Sequence, residues 1–387
     1  MCDVQAVRLR SSNEWRYTRR AVIAGTVGFA SAALSVQAKA GPSLKVLAEQ
    51  GGLFFGAAVT AEALRLDSSF RSAVLNECSS VTPEISLKWG AVEPLHARLE
   101  MAAMDEIAEV ARVNGLRVYG HALLWHGSVP QWAEAMLGDS PDWRYIRNYF
   151  SSVMPRYGDV VRYWDVVNEP LEPGHRDDGL RANAFLRAFG PVYIERAMRE
   201  ARLFAPDGKL MINEYGLEYD IPVEGDRRYL FLKLIEDLKS KSVPLDGIGL
   251  QAHLDLRKGK IFAKAIREFL REIEELGLVV VVTELDVKEA DYAASLERRD
   301  GAVADETRRY LEVVLDSPAV RGISTWGLSD RYSWLRLTED ELASYTGTWN
   351  HEDGQGLNRG LPLDAILAPK RMYAAVARTL ARRDLGR

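Results

Sequence analysis

Two glutamates close two short apolar runs. One is Glu169, in Tyr163-Trp164-Asp165-Val166-Val167-Asn168-Glu169-Pro170. The other is Glu284, in Val281-Val282-Thr283-Glu284-Leu285-Asp286. Both runs are rich in β-branched residues, the first also in aromatic ones, and read as buried strands; Pro170 stops the first. A carboxylate at the end of such a strand is held on a rigid element and aimed at whatever lies above the sheet. Two carboxylates facing each other over a cleft, with tryptophans nearby, are the machinery of glycoside hydrolysis. One protonates the leaving oxygen; the other attacks the anomeric carbon or activates a water. Taken alone, Glu169 reads more readily as an ordinary strand-end acid. The elements around them decide.

From residue 53 onward, strand and helix patterns alternate. Apolar runs at 54–60, 81–86, 117–125, 163–170, 210–215, 247–253, 278–283 and 321–326 read as strands. Segments 67–78, 101–113, 143–156, 183–204, 227–240, 261–276, 307–315 and 370–382 read as helices. Asp67 or Ser68 caps the first helix, and Asn114-Gly115 closes the second. Short apolar strands suit a parallel sheet covered on both faces. Eight βα units in this length predict the α/β class and a (β/α)8 TIM barrel. A doubly wound open sheet is the runner-up, weakened because no glycine-rich phosphate loop follows the first strand.

A barrel carries its site at the C-terminal ends of its strands. Those ends hold Glu84 and Lys88, then His121, Trp125 and His126, then Asn168 and Glu169. Asn213, Glu214 and Tyr215 follow, then Gln251 and His253, Glu284 and Asp286, and Trp326. His121, His126 and His253 could join the carboxylates around a metal ion. No His-x-x-x-His or Cys-x-x-Cys spacing supports that, and Lys88 would repel a cation. Neither metal nor cofactor is expected.

Five segments in order resemble the family 10 glycoside hydrolases, the endo-β-1,4-xylanases. They are Gly120-His121-Ala122-Leu123-Leu124-Trp125-His126, Trp164-Asp165-Val166-Val167-Asn168-Glu169, Gly249-Leu250-Gln251-Ala252-His253, Thr283-Glu284-Leu285-Asp286, and 326–334 from Trp326 to Trp334. The resemblance covers nearly all of residues 50–380. It implies a retaining enzyme with Glu169 as acid/base and Glu284 as nucleophile. By the same resemblance Asn168 binds the sugar 2-hydroxyl. Lys88, His121 and Gln251 grip the sugar on the non-reducing side of the cut, between aromatic walls Trp125, Trp326 and Trp334. Glu84 and Tyr215 complete the substrate-binding set. His253 is expected to hydrogen-bond Glu284, with Asp286 holding the histidine from the same strand face. His126 and Asp286 are expected behind the substrate-contacting residues. The implied partner is xylan or xylo-oligosaccharide. A related activity on β-1,4-glucan, and a sugar-binding barrel without hydrolysis, are the alternatives. Two positions depart from the family pattern: Ile85 stands where an asparagine is usual, and Ser128 where a glutamine is usual. Both belong to the subsite one sugar beyond the cleavage site, so weaker or altered recognition of that sugar is expected.

Composition bounds the rest. The chain has 387 residues, 47% hydrophobic and 27% charged, with net charge −5. Nine Trp and fifteen Tyr suit stacking on sugars. Arg16-Tyr17-Thr18-Arg19-Arg20 precedes an apolar run over 21–34 and then Ala38-Lys39-Ala40. Residues 1–40 therefore read as an export signal of twin-arginine type, and 41–387 as one catalytic domain. The run is short and rich in Gly, Ala and Ser, so no membrane association is expected of the mature form. The expected destination is the periplasm or the medium. Residues 1–40 hold six Lys/Arg and two acids, so removing them from totals of 50 and 55 leaves 44 basic against 53 acidic residues. Such an acidic body argues against nucleic acid as a partner. Cys2 leaves with the signal, and the lone Cys78 cannot form an intrachain disulfide.

Overall fold

The computed structural model describes residues 41–335 and 358–385. The expected export signal lies outside them. Eight strands form the framework: β1 Phe54–Val59, β2 Ser80–Pro83, β3 Arg117–Gly120, β4 Val161–Asn168, β5 Lys209–Glu214, β6 Gly247–Leu250, β7 Val279–Lys288 and β8 Val320–Thr325. Each pairs in parallel with the next. β8 also pairs with β1, Phe54 to Gly322 through Ala57 to Thr325, which closes the ring. This is the expected (β/α)8 barrel, not an open sheet.

Helices cover the outside. Asp67 caps Ser68–Glu77, its carboxylate accepting from Phe70 N at 2.9 Å. Ala102–Asn114 ends at Gly115, whose φ of 65° a glycine adopts without strain. Ala263–Glu275 buries Ile266, Phe269, Leu270 and Ile273 against the strands. The expected helix over 183–204 is instead two, Ala184–Phe189 and Tyr193–Phe204. Gly190 turns left-handed between them, and Pro191 cannot continue the ladder. The expected strand over 117–125 stops at Gly120 and resumes only at Leu124–Trp125. The expected strand over 247–253 likewise breaks, with His253–Asp255 pairing separately to β7. Leu44–Gln50, Ala61–Leu66 and Gln131–Asp139 are helices with no counterpart in the expected series.

The lumen is layered. Phe54, Tyr119, Met211 and Val281 form one apolar cluster, one side chain from each of β1, β3, β5 and β7. Four residues from alternate strands is the layer geometry of such barrels. Tyr163 of β4 packs against this layer. Two residues further along each strand the lumen turns polar. Tyr119 gives way to His121, Tyr163 to Asp165, Met211 to Asn213 and Val281 to Thr283. The apolar layer is thus the floor of a polar cup.

Candidate active site

Both candidate catalytic glutamates reach this cup through a one-residue irregularity in their strand. Between Asp165 and Val167, β4 advances two residues while β5 advances one, from Met211 to Ile212. Between Ile323 and Thr325, β8 advances two while β7 advances three, from Val282 to Leu285. The extra residue reverses which side chains face inward. Val167 and Leu285 therefore join the outer core, while Asn168 and Glu284 face the lumen.

Amides link the two carboxylates. Gln251 Nε2 donates to Glu169 Oε1 at 3.1 Å and to Asn168 Oδ1 at 3.3 Å. Asn168 Nδ2 lies 3.3 Å from Glu169 Oε1. Asn213 Nδ2 donates to Asn168 Oδ1 at 2.9 Å and to Glu284 Oε1 at 2.7 Å. Thr283 Oγ1 donates to Asn213 Oδ1 at 2.8 Å, which fixes the amide's orientation. Gly249 makes room for this: a Cβ there would stand 2.1 Å from Asn213 Oδ1.

The electrostatics of Glu284 are one-sided. His253 Nε2 sits 3.3 Å from its Oε2, and His253 Nδ1 is 2.8 Å from Asp286 Oδ1. His121 Nδ1 lies 3.9 Å from Glu284 Oε1 and 2.8 Å from Asp165 Oδ2. Burial alone would raise the Glu284 pKa, but His121, His253 and Lys88 together hold it down at about 2. Burial opposes the charged His253 ring, and Asp286 with Glu284 nonetheless pushes its pKa well above the ordinary value. Lys88 is itself lowered by burial against the pull of Glu284, Glu84 and Glu169. Its ammonium stands over the Trp125 ring at 4.3 Å and faces Trp326 at 5.4 Å. The Glu84 carboxyl is raised by burial, Lys88 opposing.

All twelve residues expected to act on or bind substrate line one cleft of about 410 Å3: Glu84, Lys88, His121, Trp125, Asn168, Glu169, Tyr215, Gln251, His253, Glu284, Trp326 and Trp334. Ile85, Gly216 and Lys258 line it too. Asp286 lies behind His253 and accepts from Trp334 Nε1 at 2.6 Å, anchoring a ring that is otherwise 53% exposed. His126 places Nδ1 3.7 Å from Glu169 Oε2 and hydrogen-bonds to nothing through that atom. Burial, with the Arg181 charge, lowers its pKa. Ser128 does not line the cleft; its Oγ lies 3.0 Å from where a Cβ on Gly90 would stand. Among the described residues no group of three or more His, Cys, Asp or Glu is arranged to hold a metal ion.

Three residues were not singled out from the sequence. Asp165 is fully buried, bonded to His121 and, at 2.7 Å, to the Tyr119 hydroxyl. Its even spacing from Tyr163 on the inward face was the available signal. Asn213 was noted only as a strand end, yet it contacts Glu284 directly. Arg181 lies in the loop after β4, and nothing in the local pattern marks it. Glu214, a further buried carboxyl nearby, has its pKa raised to about 8 by burial and by the charge of Glu169, against Arg227 and two backbone N–H groups.

The chain matches the model of glycosyl hydrolase family 10 over residues 43–379. It is 31% identical to endo-1,4-beta-xylanase B of Thermotoga neapolitana over 296 residues, 76% of this chain and 82% of that one. It is 32% identical to endo-1,4-beta-xylanase A of Phanerodontia chrysosporium over 297 residues, covering 75% and 68%. The crystal structure of xylanase 10B from Thermotoga maritima superposes with a TM-score of 0.75 at 28% identity, covering 89% of this chain and all of that one. Xylanase 10B from Thermotoga petrophila, in complex with xylobiose, gives 0.74 at 27% identity, covering 88% and 98%. With the barrel closed, two glutamates at its mouth and a family match spanning the described strands, the chain belongs to glycosyl hydrolase family 10.

Proposed function

We propose that the chain is a retaining endo-1,4-β-xylanase. Glu284 attacks the anomeric carbon as its carboxylate, while Glu169 gives a proton to the departing glycosidic oxygen. Glu169, now ionised, then takes a proton from water, and that water displaces Glu284 from the sugar. Both carboxyls end as they began, and two inversions leave the configuration unchanged. One observation carries this reading: the unequal settings of the two acids. Glu284 is buried among His253, His121 and Lys88 and held ionised. Glu169 is bonded at its carboxyl by the neutral amides of Gln251 and Asn168. Asn168 meets the 2-hydroxyl; Lys88, His121, Gln251 and Glu84 hold the sugar on the non-reducing side, with Trp125, Trp326 and Trp334 as its walls and Tyr215 toward the leaving sugar.

The second sugar on the non-reducing side is held weakly, because Ile85 and Ser128 offer no amide there. In Ile85 an apolar side chain, 54% exposed, occupies the cleft rim. Residues 1–40 direct export to the periplasm or medium; among the described residues no helix is long and apolar enough to cross a membrane. Product analysis on xylan and carboxymethyl-cellulose tests the activity, with proton NMR of the first products to read the anomer. Xylo-oligosaccharides of retained β configuration are expected, and Glu284→Ala should abolish their release. Reducing ends from neither polymer, or substantial turnover by Glu284→Ala, would sink the reading.

A further inference from the structure

We infer that Arg181, which lies outside the cleft, is the positioning residue for Glu169, acting through a clamp shared with Glu172 and Arg227. The inference rests on the acid/base role proposed above. Glu169 has φ of 53°, in the left-handed region that side-chain-bearing residues avoid. Such a conformation is strained and persists only where its surroundings over-determine it. The next residue, Pro170, has no N–H to help.

Arg181 supplies most of what is needed. Its Nε donates to Glu169 O at 3.0 Å, and Nη2 donates to Leu171 O at 3.0 Å. Its backbone N–H donates to Pro170 O at 2.7 Å. The remaining two groups, Glu169 N and Leu171 N, donate to Asn213 O and to the Glu214 carboxyl. Every main-chain polar group from Glu169 to Leu171 is thus hydrogen-bonded, and three of these five bonds go to Arg181. One planar guanidinium spans the two carbonyls that flank Pro170, which a lysine ammonium cannot reproduce.

The guanidinium is itself held. Nη1 pairs with Glu172 at 2.5 Å, and the other Glu172 oxygen lies 3.7 Å from Arg227. Arg227 stacks 4.3 Å from the Tyr215 ring, and Arg181 Nη2 also donates to the Tyr215 hydroxyl at 2.8 Å. Leu171 bridges Leu180, so the loop returns Arg181 beneath Glu169. The cation is oriented by a carboxylate and an aromatic ring, none of which needs to touch the scissile bond.

Positioning of an acid is separable from general damage by the leaving group. A sugar leaving group must be protonated to depart; a dinitrophenolate need not be. Arg181→Lys and Glu172→Gln in the full chain are to be assayed on xylotetraose and on 2,4-dinitrophenyl β-xylobioside, with thermal unfolding recorded alongside. For Arg181→Lys the expected loss in kcat/KM is about tenfold to a hundredfold on xylotetraose, the scale set by a small misplacement of a catalytic group. On the dinitrophenyl substrate, kcat/KM should fall less than about threefold, since glycosylation there proceeds without the acid. Glu172→Gln should show the same split, smaller. Equal losses on both substrates, or none on either, would overturn the inference, and Glu172→Gln decides the matter if Arg181→Lys fails to fold. Wild-type protein inert on both substrates would instead overturn the role of Glu169, and the clamp with it.

Discussion

Asp286→Asn perturbs Glu284, the proposed nucleophile, without touching it. Asp286 is fully buried; one oxygen meets His253 Nδ1 at 2.8 Å and the other accepts from Trp334 at 2.6 Å. An asparagine can accept at only one of these positions and carries no charge. The His253 ring, held charged against its burial by Asp286 and Glu284, then loses its firmest partner. A hydrogen bond to a charged group is worth about 1.5–3 kcal/mol. Lost from the transition state, that is about 10- to 150-fold in kcat/KM. The pH profile gives an independent reading. The fall of the Glu284 pKa from 4.5 to about 2 corresponds to roughly 3 kcal/mol of preference for the carboxylate. That preference comes from His121, His253 and Lys88 working against burial, so losing the His253 contribution should raise the value by roughly one unit or more. Attack requires Glu284 ionised, so activity below about pH 4 should survive in the wild type and decline in the variant. The assay is kcat/KM on an aryl β-xylobioside from pH 3 to pH 8. A loss under about twofold with the acid limb unmoved would refute the relay from Asp286 through His253 to Glu284.

Three further expectations follow from the same geometry. Ile85→Asn with Ser128→Gln should raise kcat/KM on xylotetraose by roughly 5- to 150-fold, two new hydrogen bonds contributing about 1–3 kcal/mol; unchanged kinetics would remove the second-sugar argument. Glu214 binds its proton more tightly folded than unfolded, so its contribution to stability is complete below about pH 4.5 and lost as pH rises through about 8. That slope amounts to at most about 5 kcal/mol, and Glu214→Gln should flatten it; parallel curves of Tm against pH for the two proteins would show the carboxyl is not held protonated. Arg19→Lys with Arg20→Lys should leave the unprocessed chain inside the cell, and normal release would rule out a twin-arginine route.

The barrel was legible because its strands are short, apolar and regularly interrupted. The polar cup was legible too, since chemistry-bearing side chains crowd one end of nearly every strand. The facing of the two strands that carry Glu169 and Glu284 was not. Period-two alternation from Tyr163 and Asp165 carries Val167 inward, and from Val281 and Thr283 it carries Leu285 inward. The observed irregularities shift both by one. A bulge depends on how a neighbouring strand counts, which local sequence does not record. Asn213 was missed for a related reason: its contact with Glu284 joins residues 71 apart in the chain. The split at Gly190-Pro191 was readable from the proline and was overridden by the amphipathic pattern on both sides.

The seam between β1 and β8 has a consequence for how the molecule comes into being. Residues 54–57 find their partners only at 322–325. Until the last strand is in place, β1 and β7 both present unpaired N–H and C=O groups to any strand that will take them. A chain cut before β8 is therefore not a smaller enzyme but an open sheet with two adhesive edges. Bringing ends so far apart together also makes ring closure a late and slow event. The export proposed for residues 1–40 would then favour finishing the ring in one compartment before leaving it, the order of events that a paired-arginine signal serves.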